Sequence, residues 1–261
     1  MRSLERTRQA LASDGFALIE QTLSEETLGS LQTAVTALRA SARPMSRQVL
    51  YTHTRPPARP PLTALMDQWL NPHHLDGDAS TRAAAEAIRP LASELLGEPA
   101  ILFQDLLLIK QPGQRHFPWH QDFPFWPIDR PEAVVIWAPL VATGPSGGAL
   151  RFARGSHSLG ARPVVDLHTG DAQRPEAALG FNPERWDIAA PDYRAGDLVV
   201  FSPLIFHGSP PTRRTQPRPA WASVWLSPRC RWSYAAAPNH PLCRRVEDGA
   251  PVTEHIPGGA L

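Results

Sequence analysis

Proline limits what this chain can fold into more than any other residue. It occupies 29 of 261 positions, about 11% against a usual ~5%. Each proline fixes φ and removes a backbone donor, so long uninterrupted helices are excluded over most of the length. From position 101 onward the prolines and glycines bound a series of short apolar runs: 101–111, 117–122, 133–141, 149–153, 198–202 and 220–226. Runs of this length without helical periodicity between them are the pattern of a sandwich or barrel rather than of βαβ units. With 42% apolar and 20% charged residues a buried core is expected. There is no internal repeat and no clear linker. The chain reads as one domain over 1–261, mainly β with flanking helices.

The first hundred residues differ in character. Ser24 can cap a helix whose first turn carries Glu25 and Glu26, where the macrodipole favours them. Leu28, Leu31, Val35 and Leu38 follow at helical spacing. Residues 15–19 form a short strand candidate, and 43–61, rich in Pro and Arg, read as loop. A further helix is expected from near Ser80 to Leu96, closed by Gly97 and bent or split at Pro90. Residues 1–100 thus read as mainly helical support, 101–230 as a barrel core, and 231–261 as a C-terminal extension. Within the core, 155–196 has little periodicity and the length of a lid or binding loop.

Charge and cysteine content remove several function classes. The 26 basic and 25 acidic side chains leave a net charge of +1, which provides no footprint for nucleic acid. No apolar run reaches the length of a membrane span, and the N-terminus lacks the apolar stretch of a signal peptide. Cys230 and Cys243 make neither a disulfide framework nor a zinc site. A cytoplasmic protein with a small-molecule partner, monomeric or weakly dimeric, is expected. Of the basic residues only one is lysine, Lys110.

The chemistry concentrates in a few residues. In Trp119-His120-Gln121-Asp122 a strand would point His120 and Asp122 to one face. An imidazole and a carboxylate suit a divalent first-row metal, and a third ligand completes the facial triad that leaves open positions for non-haem Fe(II). His207, delivered by the apolar run 198–206 just before Gly208, is that third ligand. His73, His74, His168, His240 and His255 lie in loop-like sequence and read as surface or locally satisfied histidines. Arg218 opens the run 220–226, where a buried guanidinium requires a carboxylate.

Together these pieces resemble the phytanoyl-CoA dioxygenase family of Fe(II)/2-oxoglutarate oxygenases over nearly the whole chain. Ser13-Asp14-Gly15-Phe16-Ala17-Leu18-Ile19 with Leu23-Ser24-Glu25-Glu26 is similar to the family's opening. Lys110-Gln111-Pro112-Gly113 before Trp119-His120-Gln121-Asp122 is similar to its metal strand, and 147–157 to the hairpin that follows. Gly196-Asp197 through His207-Gly208-Ser209, with Arg218, is similar to its closing half.

The fold the resemblance implies is a double-stranded β-helix, a jelly-roll or cupin-like barrel buttressed by the N-terminal helices. It implies His120, Asp122 and His207 as iron ligands and Arg218 as partner of the distal carboxylate of 2-oxoglutarate. Ser209 falls near that carboxylate, Phe117 and Trp137 on the co-substrate pocket, and Leu108 on a co-substrate position often polar in relatives. The usual Asn after the distal His is absent; Pro210-Pro211-Thr212 stands there.

On the substrate side, Gln104, Leu106, Leu108 and Lys110 share a strand face, with Gln104 and Lys110 its polar groups. Phe123, Phe125 and Trp126 follow the metal strand and can wall the site. The activity implied is hydroxylation of an aliphatic C–H of a small, biosynthetic-type molecule, using Fe(II), 2-oxoglutarate and O2 and releasing succinate and CO2. The alternatives are desaturation, epoxidation or rearrangement by the same oxidising chemistry, or a non-catalytic ligand-binding barrel. Asp122 disfavours halogenation, since halogenases of this type carry a small residue there.

Overall fold

The computed structural model describes residues 2–40, 66–72, 79–114, 116–164, 177, 179–238, 240, 243 and 246–254. The expected loop at 43–61 and the histidines at 73, 74, 168 and 255 lie outside them. The elements in chain order are α1 (Arg2–Ser13), β1 (Phe16–Ile19), α2 (Glu25–Ala40), β2 (Asp67–Leu70), α3 (Ala79–Leu96), β3 (Ile101–Lys110) and β4 (Phe117–His120). They continue with β5 (Ala133–Pro139), β6 (Arg151–Ala153), β7 (Ile188–Ala189), β8 (Leu198–Phe201), β9 (His207–Ser209) and β10 (Arg218–Leu226). The expected start of α2 is observed: the Thr27 N–H donates to Ser24 Oγ at 3.1 Å. Pro90 sits inside α3 without dividing it, and Gly97, at φ +75, ends it.

All strand pairs are antiparallel and form two sheets. The larger runs β1-β8-β5-β10-β3-β2 and the smaller β4-β9-β6-β7. This is the two-sheet arrangement of a jelly roll, with the helices outside the larger sheet. Alternation along the strands explains the layering. Val135, Trp137, Val199, Phe201, Ala220, Ala222 and Val224 share an inner core with Phe152 of the smaller sheet. Their outward neighbours Val134, Ile136, Leu198, Val200, Trp221 and Trp225 pack with Leu31 and Val35 of α2 and Ala84, Ala85, Ile88 and Ala92 of α3. The run of alanines lets α3 lie close to the sheet. Among the described residues no helix is long and apolar enough to cross a membrane.

β3 and β10 form the longest ladder, from Arg218 opposite Lys110 to Leu226 opposite Ile101. Its register shifts between Val224 and Trp225, where Phe103 has no partner. This bulge turns both Phe103 and Gln104 away from the helices. β2, β7 and β9 are strands of two to four residues that local periodicity did not reveal. Of the expected lid, Phe181 and Trp186 pack with Trp119 and Phe206 on the smaller sheet, while 165–176 and 178 lie outside the described residues.

β9 approaches β4 so closely that a Cβ on Gly208 would stand 2.9 Å from the Phe117 carbonyl oxygen and 3.2 Å from that of Pro118. Backbone atoms of a paired strand cannot swing aside as a side chain would. Gly208→Ala is therefore expected to destabilise the fold by about 1–3 kcal/mol. Denaturant unfolding measures it, and an unchanged midpoint would show that β9 can shift freely.

Candidate metal centre

His120 ends β4 and His207 begins β9, and their Cα atoms are register partners. The ring centroids lie 4.2 Å apart. Asp122 does not continue the strand. It caps a 3-10 turn over Phe123–Phe125 with φ −77 and ψ −41, held by donation of its N–H to the Pro203 carbonyl at 3.0 Å. The expected i, i+2 alignment on a strand is thus corrected: the chain turns after His120, and the turn returns the carboxylate to the imidazoles. Asp122 Oδ1 lies 3.4 Å from His120 Nε2 and 3.6 Å from His207 Nε2. One ligand atom from each of the three residues falls within 4.8 Å of the others.

The backbone selects which nitrogen of each ring faces inward. His120 Nδ1 meets the Pro118 carbonyl at 2.9 Å and His207 Nδ1 meets that of Ile205 at 3.2 Å. A carbonyl only accepts, so Nδ1 carries the hydrogen and Nε2 presents its lone pair toward Asp122. Burial pushes the His207 pKa down to about 4, partly opposed by Asp122, so this ring is neutral near pH 7. Burial alone would raise the Asp122 pKa; His207 and His120 outweigh it and hold the carboxyl below its ordinary value when those rings carry a proton toward it. Two neutral imidazole lone pairs and one carboxylate suit a divalent first-row metal.

A second polar cluster lies at the opposite end of the β3–β10 ladder from the bulge. Arg218 is fully buried. Its Nη2 donates to the Gly148 carbonyl at 2.8 Å, while Nε and Nη1 are buried with no partner among the described residues. The guanidinium lies 5.6 Å over the Trp137 ring, whose Nε1 is also buried and unpartnered. Burial pushes the Arg218 pKa down to about 10. Lys110, opposite it in register and equally buried, donates from Nζ to Ser209 Oγ at 2.8 Å and to the Pro210 carbonyl at 2.6 Å. Two buried cations stand side by side, and neither touches a carboxylate of a described residue.

The other expected residues divide by position. Phe117 pairs with Ser209, and its ring lies 5.1 Å from that of His120. Phe125 meets His120 edge-on at 6.2 Å. Leu106 and Leu108 are half-buried against the inner core, and Gln104 is buried at the bulge. Trp126 does not wall the triad. It is a core residue, 2% exposed, edge-on to Phe103 at 5.9 Å. His240, read as a surface or locally satisfied histidine, is buried against Phe103. Arg213 is exposed and Arg214 half-buried. Sequence reasoning missed Tyr193, buried edge-on to Trp137 at 5.3 Å with its hydroxyl donating to the Leu150 carbonyl. It lies in irregular chain with no periodic signal.

Residues 11–220 match the family model described as Phytanoyl-CoA dioxygenase (PhyH). The chain belongs to the phytanoyl-CoA dioxygenase family. Among curated proteins it is 32% identical over 127 residues to a methylphosphonate hydroxylase of Gimesia maris, covering 49% of this chain and 45% of that protein. It is 35% identical over 125 residues to a 2-aminoethylphosphonate dioxygenase of the uncultured bacterium HF130_AEPn_1, covering 48% of this chain and 45% of that protein. The chain therefore spans under half the length of either relative. Among solved structures it is similar to the epimerase SnoN from nogalamycin biosynthesis, with TM-score 0.72, 20% identity and 96% of both chains covered. EctD from S. alaskensis, solved with 2-oxoglutarate and 5-hydroxyectoine, gives TM-score 0.66 and 23% identity over 87% of this chain and 77% of that one. These two likenesses establish the jelly-roll fold.

Two outcomes follow from the triad. Asp122→Ala removes its only anion and is expected to weaken Mn(II) or Fe(II) binding by roughly 100-fold or more, exceeding the loss of an outer-shell partner; a metal titration with unchanged affinity would place the site elsewhere. His207 is neutral when folded, with its pKa lowered from 6.5 to about 4, so the unfolded chain takes up the proton first. Its contribution is present above about pH 6.5 and is lost as the pH falls toward about 4, at most about 3 kcal/mol. Unfolding of the metal-free protein at several pH values should show this slope, flattened in His207→Gln.

Proposed function

We propose that the protein is an Fe(II)/2-oxoglutarate-dependent oxygenase that hydroxylates an aliphatic carbon of a small organic molecule. The observation that carries this reading is the pairing of the His120–Asp122–His207 triad with a buried, carboxylate-free Arg218. A guanidinium taken out of water with two N–H-bearing nitrogens unpartnered is costly unless an anion completes it. The distal carboxylate of 2-oxoglutarate matches its fork. Trp137 adds a third unpartnered donor nitrogen beside it.

His120, Asp122 and His207 would hold the iron through two imidazole nitrogens and a carboxylate. Bound there, iron(II) supplies the O2-dependent decarboxylation of 2-oxoglutarate to succinate and CO2 and the oxidising power for C–H attack. The chain's own part is orientation and dryness. Arg218 would grip the far carboxylate of the co-substrate and so orient it in the pocket. Phe117, Phe125, Leu106 and Leu108 present apolar surface around the reacting centre, which limits water. Hydroxylation is preferred over epimerisation or cyclisation because the two curated relatives above 30% identity are a hydroxylase and a dioxygenase. Methylphosphonate and 2-aminoethylphosphonate are accordingly the first substrates to try, followed by other small aliphatic acids and amines.

The test is direct. Anaerobic addition of Fe(II) and 2-oxoglutarate should produce a weak visible charge-transfer band, and admission of O2 with substrate should yield succinate and a hydroxylated product. Absence of both the band and any 2-oxoglutarate-dependent O2 uptake would leave the binding-barrel reading instead. Arg218→Lys keeps the charge and loses the fork, so the KM for 2-oxoglutarate should rise about tenfold or more. Arg213→Lys, altering an exposed side chain, should leave it unchanged.

A further inference from the structure

Gln121 stands in sequence between two of the three triad residues, yet its side chain does not join them. It is 2% exposed, and its amide is used at both ends. Nε2 donates to the Leu204 carbonyl at 2.6 Å and to the Gly160 carbonyl at 2.9 Å, while Oε1 accepts from the Arg162 N–H at 2.8 Å. A flipped amide would set its oxygen against two carbonyls and its nitrogen against an N–H. Only one orientation satisfies all three partners.

Leu204 belongs to a loop that holds the metal centre through three consecutive carbonyls. That of Pro203 accepts from the Asp122 and Phe123 N–H groups at 3.0 and 3.1 Å. That of Leu204 accepts from Gln121, and that of Ile205 from His207 Nδ1 at 3.2 Å. The loop is tied on either side, by the Leu204 N–H to Ser202 Oγ at 3.2 Å and by the Phe206 N–H to Ser156 Oγ at 2.9 Å. Successive planar peptide units cannot turn independently of one another. A movement that re-aims the His207 ring therefore also moves the carbonyl that Gln121 holds.

The other partners of the amide, Gly160 and Arg162, lie near the start of the 155–196 stretch, to which the proposed activity gives no part. One side chain thus fastens that segment to the loop behind Asp122 and His207.

We propose that Gln121 is a positioning residue that couples the metal centre to the 160–162 segment, so that metal binding and the fastening of this segment reinforce each other. The proposal rests on reading the triad as the metal centre. Gln121 does not contact the metal and acts through the 203–205 loop.

Linkage makes the coupling reciprocal. If the fastened segment raises metal affinity by some factor, bound metal disfavours release of the segment by the same factor. Outer-shell partners of metal ligands contribute about 10–100-fold in affinity. Gln121 lies one bond further out, so a factor of roughly ten is expected, at the lower end of that range.

The test has two arms. In the wild type, hydrogen–deuterium exchange of the Arg162 amide is followed by mass spectrometry with and without saturating Mn(II). The metal should slow it roughly tenfold. The Ser158 N–H donates to the Gly155 carbonyl at 3.1 Å within its own turn; it should respond little and serves as the internal reference. In the second arm Gln121→Met keeps the length of the side chain and removes all three hydrogen bonds. Its Mn(II) affinity should fall roughly tenfold in a metal titration. A merely structural glutamine would lower the melting temperature of the metal-free variant and leave metal affinity alone. Unchanged affinity in Gln121→Met overturns the proposal, as does an Arg162 amide that ignores the metal or slows only as much as Ser158. Should Gln121→Met fail to fold, as judged by its melt, the wild-type exchange decides by the same criteria. Asp122→Ala separates the two levels of inference. If the wild type binds Mn(II) no better than Asp122→Ala, the reading of the triad fails and the coupling with it. If Asp122→Ala loses the metal while the Arg162 amide of the wild type ignores it, only the assignment of Gln121 fails.

Discussion

Between β4 and β9 the two backbones approach at Gly208 until no side chain fits, with Phe117 and Pro118 carbonyl oxygens closing the gap. That contact sets His120 opposite His207 in register. Everything reactive depends on it. The pair brings together residues 87 positions apart in sequence, and the turn after His120 then has only to return Asp122 to a place already defined. The same strand pair sets Phe117 opposite Ser209, so the cluster of Ser209, Lys110 and Arg218 inherits its position from the same few hydrogen bonds. A short ladder can bear this because the larger sheet behind it is rigid: β10 pairs along its length with both β3 and β5.

The electrostatics of the interior run against stability. Arg218 and Lys110 are adjacent in register, fully buried and, among the described residues, supplied only with neutral acceptors. Desolvating two cations without a carboxylate is unfavourable for the folded state, and a core of leucines of similar volume would cost less. The arrangement makes sense for a chamber whose anion arrives as a ligand. The triad has the opposite character. His207 is kept neutral and Asp122 ionised, so the metal end offers lone pairs and one negative charge while the far end offers positive charge. Under the proposed function, a molecule with a chelating head and an anionic tail would be oriented by that difference in charge.

Much of this was legible in the residues. The Ser24 cap, the long apolar runs that became β3, β5 and β10, and the pairing of His120 with a distant His207 were readable because each has a local or chemical signature. Strands such as β2, β7 and β9 were not, since two to four residues have too little periodicity to signal anything without their partners. Trp126 looked like a pocket wall because it follows the metal strand, yet the turn over Phe123–Phe125 leaves it edge-on to Phe103 in the core. Alternation put Lys110 on one face with Gln104, Leu106 and Leu108, but alternation gives a face and not an end. Only the register of β3 against β10 put it beside Arg218.

The sequence by itself determined the class of fold and the chemical inventory. Proline spacing ruled out long helices, short apolar runs demanded antiparallel sheets, and His, Asp and Arg at their positions pointed to metal and carboxylate. These are properties of composition and near-neighbour spacing, which the chain carries before it folds. The tertiary structure decided which nitrogen of each imidazole faces inward, how Asp122 reaches the imidazoles from a turn, and that Arg218 and Lys110 stand together with no carboxylate of a described residue between them. Each of those depends on hydrogen-bond partners brought together from distant parts of the chain, and a hydrogen bond has no direction until both of its ends are in place.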